Sequence, residues 1–325
     1  MNFTFKLLQQ FCDFVQKYCK EIGSILLILY CLWPTRFASH YECITPDNIF
    51  DSLLQKTTKN VSMSQLDNCD YSDVIKDNTY MYKKTYQNDI FDSSEITLGG
   101  EYHPERCKPL FSTAIIVPYR QREKQLQAFL IYMHNYLRKQ NINYRIFVIE
   151  QFDAKPFNRA KLFNIGSVYA TRYDYPCFIL HDVDLMPMRL GHLYACSKQP
   201  RHMCSALDKF RFHLPYRGLF GGAVAIERYD YVRVNGMSNM YQGWGGEDDD
   251  FYERLQASKI DICRFEPGYS EYTMLKHAQE TPNEDRLIFL RNGHLRFHTD
   301  GLNSLVFQEK EFKLHNLFTH VLVET

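Results

Sequence analysis

Between Thr113 and His181 the chain alternates short apolar runs with helix-spaced apolar residues, and this alternation narrows the available folds most. Thr113-Ala114-Ile115-Ile116-Val117 reads as a buried strand. Residues 121–140 carry Leu126, Phe129, Leu130, Met133 and Leu137, a helical stripe. Tyr144 to Ile149 reads as a second strand, Asn158 to Ala170 as a helix, and Cys177 to His181 as a third strand. A β-α-β-α-β order predicts a parallel sheet with right-handed crossovers. The class is therefore α/β, with a Rossmann-like, nucleotide-binding topology. No Gly-x-Gly-x-x-Gly follows the first strand. Pro118-Tyr119-Arg120-Gln121-Arg122 stands there instead. Arg120 and Arg122 at a strand end suit a diphosphate. As mere surface residues they would oppose the dipole of the helix they precede.

Two acidic segments add chemistry to this frame. The third strand runs into Asp182-Val183-Asp184. Acids there project toward the crevice where open α/β sheets bind ligands. An Asp-x-Asp suits a divalent cation that bridges phosphate oxygens. Sixty residues on stands Gly243-Trp244-Gly245-Gly246-Glu247-Asp248-Asp249-Asp250-Phe251. The glycines permit close approach and loop movement, Trp244 offers a flat apolar face, and the carboxylates can bind sugar hydroxyls or take a proton from one. No ordinary core segment needs four adjacent acids, since buried carboxylates are costly, and an exposed acidic helix start is the plainer account of them. Met274 and His277 lie three residues apart. A neutral His is a good divalent ligand, whereas Met is an odd one for a hard ion. On spacing alone His277 reads as a structural histidine.

Composition excludes one class of partner. Lys+Arg and Asp+Glu are both 38, so the chain lacks the basic excess that nucleic acid demands, and no nucleic-acid partner is expected. The N-terminus stands apart from the globular part. Residues 1–21 read as a cytosolic tail and 22–34 as an apolar signal-anchor preceded by Lys6, Lys17 and Lys20. The run is shorter than the roughly 18–20 residues of a full span. A cleaved signal and a core helix compete with the anchor, although no small-x-small cleavage site follows. Basic residues before the run place its N-terminus in the cytosol. Residues 35–105 read as a polar lumenal stem, and 106–325 as the catalytic domain. Asn60-Val61-Ser62 is a glycosylation sequon in that stem, while the sequon at Asn2 would face the cytosol and stay bare. Cys12, Cys19 and Cys31 lie in or before the run. The seven remaining cysteines are an odd number, so at least one is free or pairs between chains.

Five segments resemble the β-1,4-galactosyltransferase family. They are Phe157-Asn158-Arg159-Ala160-Lys161-Leu162, His181-Asp182-Val183-Asp184-Leu185-Met186-Pro187, Phe220-Gly221-Gly222, the Gly243–Asp250 segment, and Asp300-Gly301-Leu302-Asn303-Ser304-Leu305. The resemblance runs in order from Cys107 to Leu305. It implies a GT-A (nucleotide-diphospho-sugar transferase) fold built as a single Rossmann-like domain around a mixed sheet. It further implies a single-pass type II Golgi membrane enzyme with a lumenal catalytic domain. Such an enzyme transfers from a UDP-sugar donor to a GlcNAc-terminated glycan with inversion, and uses Mn2+.

Carried over by position, Asp184, Met274 and His277 are manganese ligands. Pro118, Arg120, Arg122, Phe157, Arg159, Asp182, Val183, Leu219 and Trp244 fall in the donor site. Tyr216, Trp244, Glu247, Asp248 and Asp249 fall at the acceptor, with Asp248 as general base. Cys69–Cys107 and Cys177–Cys196 match the family's disulfides. The chain also departs from the vertebrate members. Leu219 stands where they carry a Tyr, and aliphatic residues there accompany GalNAc transfer in invertebrate relatives. The resemblance therefore points to UDP-GalNAc as donor, with UDP-Gal as the alternative and a non-catalytic carbohydrate binder as the remoter one. Gln242 replaces a Trp and Tyr272 a Cys, and the region after Asn283 is shortened.

Overall fold

The computed structural model describes residues 2–32, 41–58, 66–77, 79–82, 92–277 and 280–325. The sequon at Asn60 lies outside them. Two compact units result, residues 1–40 and 41–325. In the first, one helix, α1 (Asn2–Leu32), runs through both the expected tail and most of the apolar run. Among the described residues no helix is long and apolar enough to cross a membrane.

The second unit begins at Tyr41, well before the expected boundary at 106. Part of the expected stem packs as core. Short helices α2 (Ile49–Ser52) and α3 (Ser72–Lys76) bury Ile49, Val74 and Ile75, and Leu53 and Tyr71 join them in one apolar cluster with β-sheet residues. The polar composition of 41–105 concealed this, because isolated apolar anchors carry no periodicity.

The strands are β1 (Glu101–Tyr102), β2 (Ser112–Tyr119), β3 (Asn143–Gln151), β4 (Cys177–His181), β5 (Leu185–Pro187), β6 (Arg201–His202), β7 (Ala206–Leu207), β8 (Ala223–Glu227), β9 (Glu271–Met274), β10 (Gln308–Leu314) and β11 (Thr319–Glu324). The main sheet has the order β10-β11-β3-β2-β4-β8-β6, with β1 also paired to β3. Strands β2, β3, β4 and β11 are parallel, and β8 runs antiparallel to β4. The expected parallel β-α-β-α-β unit is therefore the centre of a mixed sheet. Side chains alternate across it. Ile115 and Val117 face α4 (Glu123–Leu137) in one core layer, and Ala114 and Ile116 face α5 (Arg159–Arg172) in the other. Asn158 caps α5 by accepting from the Lys161 N–H at 2.9 Å, a standard helix start. Helices α6 (Arg228–Arg233), α7 (Glu247–Ala257) and α8 (Arg286–Arg291) follow.

A small second sheet, β5-β9-β7, stands beside the main one. Its β5–β9 pair sets Leu185 against Met274 and Pro187 against Tyr272. Disulfides join Cys69 to Cys107 and Cys177 to Cys196. Cys43, Cys204 and Cys263 remain thiols.

Candidate active site

A cavity of about 700 Å³ opens at the C-terminal ends of β2 and β4, where open α/β sheets present ligand sites. Its size is within the usual range for small-molecule sites. Pro118, Arg120, Arg122, Phe157, Arg159, Asp182, Val183, Asp184, Trp244, Glu247, Met274 and His277 all line it. Residues roughly 160 positions apart thus converge on one space.

The arginines are held by acids and aromatic rings. Arg120 donates to the Lys155 carbonyl at 2.7 Å, lies over the Phe157 ring and faces Glu280 at 3.6 Å. Arg122 reaches Asp184 at 3.0 Å. Arg159 bridges the two acidic segments, donating to Asp182 at 2.5 Å and to Glu247 at 3.2 Å. Burial works against its charge, yet Asp182 and Glu247 hold its basicity above the ordinary value.

Asp184, Met274 and His277 come together because β5 pairs with β9. The Leu275 N–H donates to the Asp184 carbonyl at 2.7 Å, and His277 Nε2 lies 2.9 Å from Asp184 Oδ2. Burial, then Asp182, raises the Asp184 pKa, while His277 and Arg122 oppose the rise. Among the described residues no group of three or more His, Cys, Asp or Glu could hold a metal alone. The set here is one carboxylate, one imidazole and one thioether on the wall of an open cavity. Such a set fits a divalent cation whose hard oxygen ligands come from a bound diphosphate.

The four consecutive acids diverge in role. Gly243, Gly245 and Gly246 all have positive φ, of 83°, 102° and 91°, a region glycine enters freely. The turn is pinned by Gly243 N–H to the Phe157 carbonyl and Trp244 N–H to the Thr281 carbonyl. Trp244 remains 46% exposed. Glu247 gives one oxygen to Arg159, and its other is buried without a partner. Asp248 packs against Gly221, where an added Cβ would fall 2.4 Å from its carboxylate. Burial first, then Glu247 and Asp249, push the Asp248 pKa up to about 7. Asp249 accepts from the Tyr216 hydroxyl at 2.7 Å. Asp250 is fully buried and paired with Arg254 at 2.7 Å, so it is scaffold. The Asp300–Leu305 segment is scaffold too. Asp300 accepts from Ser238 at 2.5 Å and from the Asn239 N–H at 2.9 Å.

Leu219 is the expected donor-site residue that does not line the cavity. It is half-buried, and its carbonyl accepts from Arg264 at 2.9 Å. Tyr216, Asp248 and Asp249 also lie beyond the lining. Asp208, Lys209, Lys276 and Glu280 line it without having been expected. Asp208 accepts from the Thr273 hydroxyl and from the Met274 N–H at 3.1 Å. No residue motif announces such a contact.

Comparison with known proteins matches residues 71–197 to the N-terminal region of glycosyl transferase group 7 and residues 201–278 to the N-terminal domain of galactosyltransferase. Human beta-1,4-galactosyltransferase 2 is 41% identical over 234 residues, which cover 70% of this chain and 63% of that one. The chain thus spans under two thirds of that relative's length. The Cricetulus griseus beta-1,4-galactosyltransferase 4 is 40% identical over 230 residues, covering 70% and 67%. The catalytic domain of Drosophila beta1,4-galactosyltransferase 7, solved with xylobiose, superposes with a TM-score of 0.58 at 27% identity, covering 66% of this chain and 93% of that one. A mutant of the same enzyme, in complex with manganese, UDP-Gal and xylobiose, gives 0.57 at 26%, with the same coverage. The fold is GT-A.

Proposed function

Because the chain belongs to the β-1,4-galactosyltransferase family, we propose that it is an inverting, metal-dependent glycosyltransferase acting on the 4-hydroxyl of a terminal GlcNAc. The observation that carries this reading is one cavity uniting three arginines with Asp184, Met274, His277 and Glu247, the last followed directly in sequence by Asp248, an acid poised near neutral pH.

Arg120, Arg122 and Arg159 bind the UDP diphosphate. Asp184, Met274 and His277 hold manganese, the ion carried with UDP-Gal by the Drosophila relative's complex. Bound there, it supplies positive charge against the leaving diphosphate. Asp248 takes the proton of the acceptor 4-hydroxyl while that oxygen bonds to the anomeric carbon and the bond to UDP breaks. One displacement inverts the centre. The unpartnered oxygen of Glu247 and the Tyr216–Asp249 pair suit acceptor hydroxyls. Trp244 covers the donor and excludes water.

Galactose is the first reading for the donor, since the relatives' names carry it. The reading of GalNAc rests on Leu219 alone, an aliphatic residue where a Tyr would be expected to crowd a 2-acetamido group. Leu219→Tyr is the test, with UDP-Gal and UDP-GalNAc assayed on one GlcNAc acceptor with Mn2+. A wild type that prefers UDP-Gal, and a donor ratio unchanged by the substitution, support galactose. A GalNAc preference that the Tyr lowers by about 10- to 200-fold supports the other. Transfer from neither donor would overturn the enzyme reading.

We also propose Golgi residence as a type II protein. Supporting it are the basic residues before the 22–34 run and disulfides suited to an oxidising compartment. A run below full span is accommodated by bilayer thinning and by snorkelling of Lys17 and Lys20.

A further inference from the structure

The strand that carries Met274 and the turn that carries Asp184 are joined by a buried chain of polar side chains. Tyr272 on β9 and Tyr194 are fully buried, and their hydroxyl oxygens lie 2.8 Å apart. The Tyr194 hydroxyl is also 2.9 Å from His181 Nε2. His181 ends β4, and its Nδ1 lies 2.8 Å from the Asp182 carbonyl.

The directions of these bonds follow from what each atom can do. A carbonyl only accepts, so Nδ1 carries the imidazole proton. In the neutral ring Nε2 is then an acceptor, and Tyr194 donates to it. That uses the single proton of Tyr194, so Tyr272 donates to Tyr194. The chain therefore runs one way, from the Tyr272 hydroxyl to the Asp182 carbonyl, and requires a neutral imidazole. Burial holds His181 neutral, with a pKa down at about 4.

The chain joins two ligand-bearing elements. Tyr272 is two residues before Met274 on the same strand, and Asp182 is two before Asp184. The Asp182 carboxylate continues through Arg159 to Glu247. Nothing in the proposed chemistry uses the two phenols. We propose that Tyr272 and Tyr194 are positioning residues for the divalent cation: with His181 they clamp β9 to the Asp182–Asp184 turn and set the spacing of Asp184 and Met274. This inference rests on the metal reading above.

The test is Mn2+ binding, not turnover. Free Mn2+ is titrated by electron paramagnetic resonance against the full chain in the presence of UDP, and the melting temperature is measured in parallel. Tyr272→Phe keeps the ring and removes one donor. A loss of about 3- to 10-fold in Mn2+ affinity is expected, the scale of one buried hydrogen bond. Tyr194→Phe strands His181 Nε2 and the Tyr272 hydroxyl together, so its loss should be larger. Tyr231→Phe is the structural control, because that hydroxyl is equally buried but donates to Asn164, at 2.7 Å, in the other core layer. It should lower the melting temperature and leave Mn2+ affinity within twofold. His277→Ala is the positive control. Unchanged affinity in both Phe variants, beside a weakened His277→Ala, overturns the positioning role and leaves the metal site standing. A wild type without saturable Mn2+ binding overturns the metal site and this inference with it.

Discussion

Replacing Asp248 by Asn tests the chemistry and the electrostatics of the site in one protein. The amide keeps the shape against Gly221 and removes the charge. As the proposed base, Asp248 must be ionised, and with a pKa of about 7 roughly one tenth of molecules are competent at pH 6 and nine tenths at pH 8. Wild-type kcat/KM for the acceptor should therefore rise about tenfold per pH unit below 7 and level off above it. Asp248→Asn should cut turnover by ~10²-fold or more and abolish that limb. Stability should move the other way. A carboxyl whose pKa is raised on folding, here from 3.8 to about 7, holds a proton in the native state that the unfolded chain has lost. Stability falls as pH rises through that window. The full shift corresponds to on the order of 4 kcal/mol, and partial access to solvent trims this to about 2. The Asn variant carries no such loss. It should match the wild type at pH 4 and melt higher than it at pH 8. Assays of initial rate and melting temperature across pH 4–9 decide the matter. An Asn variant with near-normal turnover, or one less stable than the wild type at pH 8, would refute the argument.

Arg254→Met removes the buried partner of Asp250 and Asp300, leaves both to the more distant Arg296, and should cost about 3–5 kcal/mol in chemical denaturation; a loss below ~1 would show that Arg296 or water replaces the guanidinium. Expression in a eukaryotic secretory host should yield a glycan on Asn60 and none on Asn2, read by mass before and after glycosidase treatment. A glycan on Asn2 would reverse the assigned orientation.

The parallel β-α-β-α-β half of the fold was legible because its signals are local. Buried parallel strands show as continuous apolar runs, and Cys177–His181 was placed to the residue. The convergence of Asp184 with Met274 and His277 was not legible from spacing, since it depends on the β5–β9 pairing across some ninety residues. Only the family likeness supplied it. Adjacent acids with unlike duties were equally hidden. Asp250 turns inward to Arg254 while Asp248 turns to Gly221, and a helix start encodes both with the same residue type. Asp208 was missed because its work is a contact with a main-chain N–H.

The buried Asp250–Arg254–Asp300 cluster has a consequence for how such a chain can diversify. It fixes α7 to the segment that carries Asp300, so the helix start bearing Asp248 is anchored from below. Gly243, Gly245 and Gly246 just upstream take the positive φ that glycine enters freely, and the last of them lies one peptide bond before Glu247. Substitutions in the Trp244 turn, such as Gln242 for a Trp, can thus reshape the proposed sugar contacts without detuning Asp248, the proposed base. Recognition and chemistry are neighbours in sequence yet inherit change separately.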